Sequence, residues 1–563
     1  MKEQLVECVP NISEGRDVAK IRQITEAIGT VEHVKLLDVD PGKATNRTVI
    51  TMVGSPEQVI EAAFHLIKKA SEVLDMSKHH GEHPRFGATD VCPLIPVANI
   101  SMEETVEYAH RLGKRVGEEL GIPVYFYEYA CSEEKRRNLA NCRAGQYEGL
   151  NDKLSDPAWK PDCGPTEFNK HIVKTGASAI SARDFLVAYN INLNTTSVRR
   201  ANSVAFDIRE AGRVKREGNN LTGQVLKDKD GKPIRIPGKL KCVKGMGWYI
   251  EEYGIAQISY NLTNINVTPV HIAFHESCKA AEAKGLRVTG SELVGLIPKK
   301  ALLDAADFFL KKQKRSLGIH DSEKIKIAVK SLGLDDLKPF NPEEKIIEYM
   351  IEDKQKKLVD MDLVSFANET ASESPAPGGG SIAAYCGVLG ASLGTMVANL
   401  SSHKRGWDDR WEYYSDWAVK GQQNKDLLLR LVDEDTLAFN SIMAAYKLPK
   451  NNEEEAKSRV DAIQSATKKA ISVPLQVMEC AFTSMELLKE MAEKGLEASV
   501  SDAGVGALCA KTAVIGAYLN VKINLPAVKD KDFCKEIISK ATKFRQQSEI
   551  MEKEILSIVE KRL

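Results

Sequence analysis

Near residue 352 the chain changes its pattern, and that change limits the fold more than any other feature of the sequence. Before it, short Val- and Leu-rich runs ended by turn residues alternate with amphipathic runs, the order of an α/β chain. "QLVECVPNI", "HVKLLDVD", "RTVITMVG", "DVCPLIPV" and "PVYFYEYA" read as strands. Among them, "SPEQVIEAAFHLIKKASEVLD" opens with a capping serine and a proline at the first helical position, and "SMEETVEYAHRLGKRVGEELG" stops at Gly121. A shorter helix is expected over 18–28. The order starts again near Asp184 with a strand in "DFLVAYNINL", a helix in "TSVRRANSVAFDIREAGRVKREG", a hairpin in "LKCVKGMGWYIEEYGIAQISYNLTN" and a helix in "VTPVHIAFHESCKAAEAKGL". A small inserted hairpin, "VLKDKDGKPIRI", turns at Asp-Gly. Two such halves imply two α/β sandwiches of the split-βαβ, ferredoxin-like type.

Beyond the polar stretch "EDKQKKLVD" the strand signals fade and helical periodicity takes over. Helices are expected over 408–446, 453–472, 474–494, 500–520 and 530–561. In "SIAAYCGVLGASLGTMVANL", Ile382, Cys386, Leu389, Leu393, Val397 and Leu400 share a face, with Gly387, Gly390, Gly394 and Ala398 beside it to admit a close neighbour. Apolar residues on more than one face suit an antiparallel helical bundle that packs against another copy. The expected division is an N-terminal subdomain over 1–185, a second over 186–351, a linker over 352–359 and a helical domain over 360–563.

Lys+Arg and Asp+Glu number 78 each, so the chain lacks the basic excess of a nucleic-acid binder. No leader and no charge-free apolar stretch near 18 residues is read, so no membrane span is expected. Eleven scattered cysteines without a CxxC pair suit reduced thiols and a cytoplasmic protein.

Four stretches carry candidate chemistry. "SKHHGEHPRFGATD", Ser77–Asp90, places His79, His80 and His83 around Glu82. His79 and His83 have the i, i+4 spacing of a zinc protease motif, but Gly81 and Pro84 interrupt any helix and Glu82 stands in the wrong place for H-E-x-x-H. Zinc ligation, a plain polar loop, and a catalytic loop in which one histidine titrates near neutral pH all stay open. In the last, Arg85 and Asp90 would tune the histidine or bind an anionic substrate. Loops with Asn11, Ser13 and Glu14, and with Asp38, Asp40, Asn46 and Arg47, follow strands and are placed to meet this one. "PAPGGGS", 375–381, opens a helix; it is either a flexible entry or a set of backbone N–H groups for an anion. In "LLRLVDEDTLAFNSI", Asp435 falls on the apolar stripe of Leu428, Leu431, Val432, Phe439 and Ile442, while Asp433 and Glu434 point elsewhere. A carboxylate on such a stripe is expensive unless paired or functional, and burial raises its pKa toward that of a general acid.

These motifs bring a family into view. "LVECVPNISEG", "LLDVDPGKATNRTV", "HHGEHPRFGATDVCPLIPV", "DFLVAYNINL" and "KGMGWYIEEYGIAQIS", followed by "PAPGGGS", "LVDEDTLAFN", "AAYKLPKNNEEE" and "AISVPL", resemble the formimidoyltransferase-cyclodeaminases almost end to end. The resemblance implies two activities. One transfers the formimino group of N-formimino-L-glutamate to tetrahydrofolate; the other cyclises 5-formiminotetrahydrofolate to 5,10-methenyltetrahydrofolate with release of ammonia. It implies His83 as the transferase catalytic residue and Asp435 as the cyclodeaminase acid/base; Glu82 and Arg85 are then expected to support His83, and Asp40 or another strand-end carboxylate to orient its ring. It implies folate contacts along Gly164, Pro165, Thr166, Glu167, Phe168, Asn169, Lys170, His171, Ile172, Val173, Lys174, Thr175 and Gly176, although "NKHIVK" departs from the family pattern. Tetrahydrofolate, as its polyglutamate, is then a co-substrate; no metal and no covalently bound cofactor is implied. The expected assembly is a homo-oligomer, a ring of dimers.

Overall fold

The computed structural model describes residues 4–43, 46–81, 85–219, 223–351 and 357–563. The chain divides into two compact units, Met1–Ala305 with Val329–Glu352, and Ala306–Ala328 with Asp353–Leu563. The first is an α/β region and the second is helical.

The first unit holds two main sheets. In one, Arg47–Gly54 pairs antiparallel with Lys35–Gly42 on one side and with Leu5–Cys8 and Asn11–Ile12 on the other. Thr89–Ala98 pairs antiparallel with those first two strands and parallel with Ser178–Ala182, which in turn runs parallel to Val124–Glu128. Ser178–Ala182 is missing from the sequence reading for a physical reason. It is buried on both faces and, apart from Ile180, built from small residues, so it shows no alternation and little β-branched bulk. The second sheet is fully antiparallel, in the order Val243–Ile250, Ile255–Leu262, Val187–Leu193, Val288–Val294.

The period of two along a strand decides what each sheet face does. In "LVECV", Val6 and Cys8 turn toward the helices, where they join Ile24, Ile50, Leu66 and Leu112 in the core. Glu7, Val9 and Asn11 turn the other way, onto a cavity of about 620 Å³. The second sheet does the same. Tyr260 is fully buried and meets Ser277 of the helix Val270–Glu282 through their hydroxyls at 3.0 Å, while Ala188, Lys244 and Asn261 line the cavity from the opposite side. The unit thus carries helices outside and a polar chamber between two bare sheet faces.

Several expected boundaries change. The helix expected from Thr196 onward covers only Val198–Ile208, because Gly212 takes a left-handed conformation and the chain enters the small hairpin at Arg213–Val214. The two helices expected at 453–472 and 474–494 form one helix, Glu453–Lys494, with Pro474 inside. An interior proline costs about 3 kcal/mol; here Ala470, Ile471, Val473, Val477, Met478 and Ala481 are buried on both sides of it, and that continuous apolar face offsets the loss. In the helix Gly379–Ser402 the small residues are the packing face. Gly387, Gly390, Gly394 and Ala398 are buried, while Leu389 and Leu400 are exposed. This helix has no charged residue, which corrects the sequence reading: Gly379–Ser402 and Glu497–Ala527 are long and apolar enough to cross a membrane, yet at least half of each apolar window is buried within the protein.

Candidate functional site

The three loops expected to meet in the first unit do meet, and Asn46 joins them. Its backbone is left-handed, with φ 50°, a conformation asparagine tolerates better than most residues. Its side-chain oxygen accepts from the N–H of Gly15 at 2.9 Å, its amide donates to the carbonyl of His80 at 2.9 Å, and its own carbonyl lies 2.9 Å from Nε2 of His79. Burial pushes the His79 pKa below its ordinary value, opposed by the hydrogen bond to the Asn46 carbonyl. Arg85 donates to the carbonyls of Met76 and His79 and pairs with Glu148 at 2.7 Å, which fixes the loop from the other side. Glu14 accepts from the N–H groups of Arg16 and Asp17. His83, Glu82 and Pro84 lie outside the described residues.

Arg47 and Asp90 sit beneath these loops. Asp90 is fully buried and is held by Arg47 and, at 2.9 Å, by Arg143. Arg47 also donates to the Asn11 side chain at 3.0 Å and reaches the cavity wall. Burial, with Arg143 nearby, lowers its pKa to about 9. Two guanidinium groups thus share one buried carboxylate, and of the two Arg47 lines the cavity. Asp38 and Asp40 line the wall too; burial and then the Asp40 charge raise the Asp38 pKa. Glu7 faces the same chamber, its pKa pushed up to about 7 by burial against the opposing pull of Arg183. The sequence reading missed Glu7, Arg143 and Arg183. Glu7 left a signal, a lone acid within an apolar strand; the pairing of Arg143 with Asp90 left none.

The segment expected to contact folate is fixed largely by its own structure. Gly164 and Gly176 are left-handed, and a Cβ on Gly176 would stand 2.4 Å from the carbonyl oxygen of Phe86. Asn169 caps the short helix Lys170–Thr175 by accepting from the N–H groups of His171 and Ile172. His171 binds the carbonyl of Leu120, and Lys174 that of Glu72. At its end Thr175 accepts from the N–H of Ala88 at 2.7 Å, which sets the segment beside the strand that leaves the histidine loop. The cavity wall, among the described residues, takes no side chain from 164–176.

In the helical unit the sequence pointed separately to the glycine run and to Asp435. The structure brings them together. Asp435 projects from the helix Trp411–Tyr446 onto the first turn of Gly379–Ser402, and Ser381 donates to it from its hydroxyl at 3.1 Å and from its backbone. Ser381 is itself buried, and the carbonyl of Val432 lies 3.0 Å from the same hydroxyl, so the two acceptors share its one proton. The third glycine has a steric cause: a Cβ on Gly380 would fall 2.1 Å from Oδ1 of Asp435. The anion at this helix start is therefore the protein's own carboxylate. Burial raises the Asp435 pKa, opposed by the two Ser381 hydrogen bonds. Asp433 accepts from the N–H of Leu358 at 2.8 Å instead, and Glu434 is exposed. The apolar stripe holds at Leu428, Leu431 and Val432 but ends in an exposed Phe439.

Residues 5–183 match the model of the formiminotransferase domain's N-terminal subdomain, 188–352 that of the formiminotransferase domain, and 362–543 that of formiminotransferase-cyclodeaminase. The chain is 45% identical over 561 residues to the formimidoyltransferase-cyclodeaminase of Gallus gallus, covering 99% of each. It is 43% identical over 308 residues to the glutamate formimidoyltransferase of Thermoplasma acidophilum, 54% of this chain and 92% of that one. It is 36% identical over 172 residues to a methenyltetrahydrofolate cyclohydrolase of Methylorubrum extorquens, 31% of this chain and 83% of that one. With its motifs in family order and close kinship along its whole length, the chain belongs to the formimidoyltransferase-cyclodeaminase family.

Proposed function

We propose that the chain performs both family reactions, each in its own unit. In the first, N5 of tetrahydrofolate attacks the amidine carbon of N-formimino-L-glutamate, His83 accepts the N5 proton, and the same group protonates the departing glutamate nitrogen. Asn46 and Arg85 anchor the described residues of the neighbouring loops, which supports a built site at this end of the unit. One well-placed acid/base contributes about 100- to 10,000-fold, and positioning much of the remainder. In the second reaction N10 attacks the same carbon, and Asp435 takes up the N10 proton and passes it to the formimino nitrogen, whose bond to the carbon breaks as ammonia leaves, giving 5,10-methenyltetrahydrofolate. The observation that carries this reading is the half-buried Asp435 carboxyl group set against the Gly380–Ser381 helix start and bonded there by Ser381, with its pKa raised by burial.

Folate contacts along Gly164–Gly176 remain part of the proposal, supported by the union of Thr175 with Ala88 behind the histidine loop. The strand order in both sheets supports ferredoxin-like subdomains: in each βαββαβ run the first strand lies between the third and the fourth. We read the second unit as an antiparallel bundle and the protein as a cytoplasmic homo-oligomer, a ring of dimers. The exposed Leu437, Phe439, Met443 and Tyr446 on the Asp435 helix support an assembly face.

The test supplies formiminoglutamate and tetrahydrofolate and follows methenyl absorbance and ammonia together. His83→Ala is expected to stop transfer yet deaminate supplied 5-formiminotetrahydrofolate, and Asp435→Asn to do the reverse. Full transfer by His83→Ala, or normal ammonia release by Asp435→Asn, rejects the respective role.

A further inference from the structure

We propose that Arg183 is the carboxylate-binding residue of the large cavity, a position that rests on the transfer function proposed above. Arg183 follows the strand Ser178–Ala182, and its N–H donates to the carbonyl of Leu94 at 3.0 Å, so the sheet fixes its backbone. Its side chain stands on the cavity wall beyond the carboxyl end of a parallel strand, where α/β sheets tend to hold ligands.

Two charged neighbours on that wall are engaged within the protein, while Lys244 stands exposed on the facing sheet as a second cation. Arg47 holds Asp90, and Asp184 accepts from the Tyr129 hydroxyl at 3.0 Å and from the Asn264 amide at 2.7 Å. Arg183 differs from them. Its Nε is shut off from solvent and makes no hydrogen bond among the described residues. Glu7 and Glu128 feel its charge only at longer range, and Glu7, whose pKa is pushed to about 7, supplies a partial counter-charge at neutral pH. A buried donor without a partner is costly and uncommon, and a guanidinium is shaped to take a carboxylate on two of its N–H groups. Both substrates carry that group: the donor is a dicarboxylate, and the acceptor ends in glutamate.

Steady-state transfer by the full chain tests this, with Arg183→Met and Arg183→Lys compared on formiminoglutamate, tetrahydrofolate and tetrahydropteroate, which lacks the tail. Arg183→Met is expected to raise KM for one anionic substrate about 10- to 100-fold, the range of a lost charge-assisted hydrogen bond, with kcat within about threefold. Ammonia release from supplied 5-formiminotetrahydrofolate stays at the parent level and verifies the fold. A rise for formiminoglutamate assigns the donor carboxylate; a rise for tetrahydrofolate but not for tetrahydropteroate assigns the tail. Should Arg183→Met not fold, Arg183→Lys carries the test, with KM expected to rise several-fold. Unchanged KM for both substrates in a folded variant, or a loss confined to kcat, overturns the assignment. A parent enzyme that transfers no formimino group overturns the transfer function itself and this inference with it.

Discussion

Adding one methyl group at Gly380 tests whether the carboxylate at the start of the glycine helix is the working group. In Gly380→Ala the new Cβ would lie 2.1 Å from Oδ1 and 2.6 Å from Oδ2 of Asp435. Ordinary contact begins about 1 Å farther out, so the carboxylate must retreat by roughly that distance. Its 3.1 Å bond from the Ser381 hydroxyl then passes beyond useful length. Losing a charge-assisted hydrogen bond costs about 1.5–3 kcal/mol and overpacking about 1–3 kcal/mol. The gain in helix propensity over glycine returns about 1 kcal/mol. A net loss of about 1.5–5 kcal/mol lowers the melting transition of the helical unit by about 3–20 °C. The catalytic effect is larger, because a displacement of about 1 Å in a reacting group costs on the order of 100-fold. Gly379→Ala is the matched control: its Cβ would meet Asn520 at 3.6 Å, an ordinary contact. Ammonia release from 5-formiminotetrahydrofolate should thus fall about 100-fold in Gly380→Ala and stay within about threefold in Gly379→Ala. A folded Gly380→Ala enzyme that releases ammonia within threefold of the parent refutes the argument.

Three further outcomes follow from the geometry. Asn46→Ala removes two side-chain hydrogen bonds and strains a left-handed backbone, so transfer should fall at least about tenfold while ammonia release holds; equal loss of both activities would show general unfolding instead. Glu7 has a native pKa near 7 against 4.5 in the unfolded chain, so its cost to stability is absent below pH 4.5, grows as pH rises toward 7, and is then constant at roughly 3 kcal/mol. Glu7→Gln should therefore melt higher than the parent at pH 8 and equal to it near pH 4.5, and a pH-independent difference would contradict this. Asp435 also has a raised pKa, so its ionisation weakens the fold as pH rises through the native value. Asp435→Asn keeps an acceptor for Ser381 and should melt no lower than the parent at pH 8 despite losing deamination, which thermal melts beside the activity assay will decide.

What the sequence revealed and what it concealed separate along a physical line. Local rules were legible: the Ser-Pro helix start, the Gly121 stop, the Asp-Gly hairpin turn, and the isolation of Asp435 among Asp433 and Glu434. Each is written within a few neighbouring residues. What stayed hidden depends on groups far apart in the chain. Gly380 is glycine because of a carboxylate 55 positions later, and the buried Asp90 is held by Arg47 and Arg143, which converge on it from distant positions. Pro474 marks the limit of local rules from the other side. By propensity it ends a helix, yet buried residues before and after it hold one continuous helix. Asn46 falls between these cases. The sequence named it as a strand-end polar group, but only the fold shows its side chain holding two loops while its backbone carbonyl meets the His79 ring. The loops around the histidine stretch are thus positioned by a residue with no acid/base chemistry of its own, whereas the Asp435 carboxyl group is positioned by the absence of a side chain at Gly380. The two sites should accordingly fail differently. Substitutions at Asn46 lose bonds and can be rescued in part by another hydrogen-bonding residue, while no side chain at Gly380 can restore the space that Asp435 occupies.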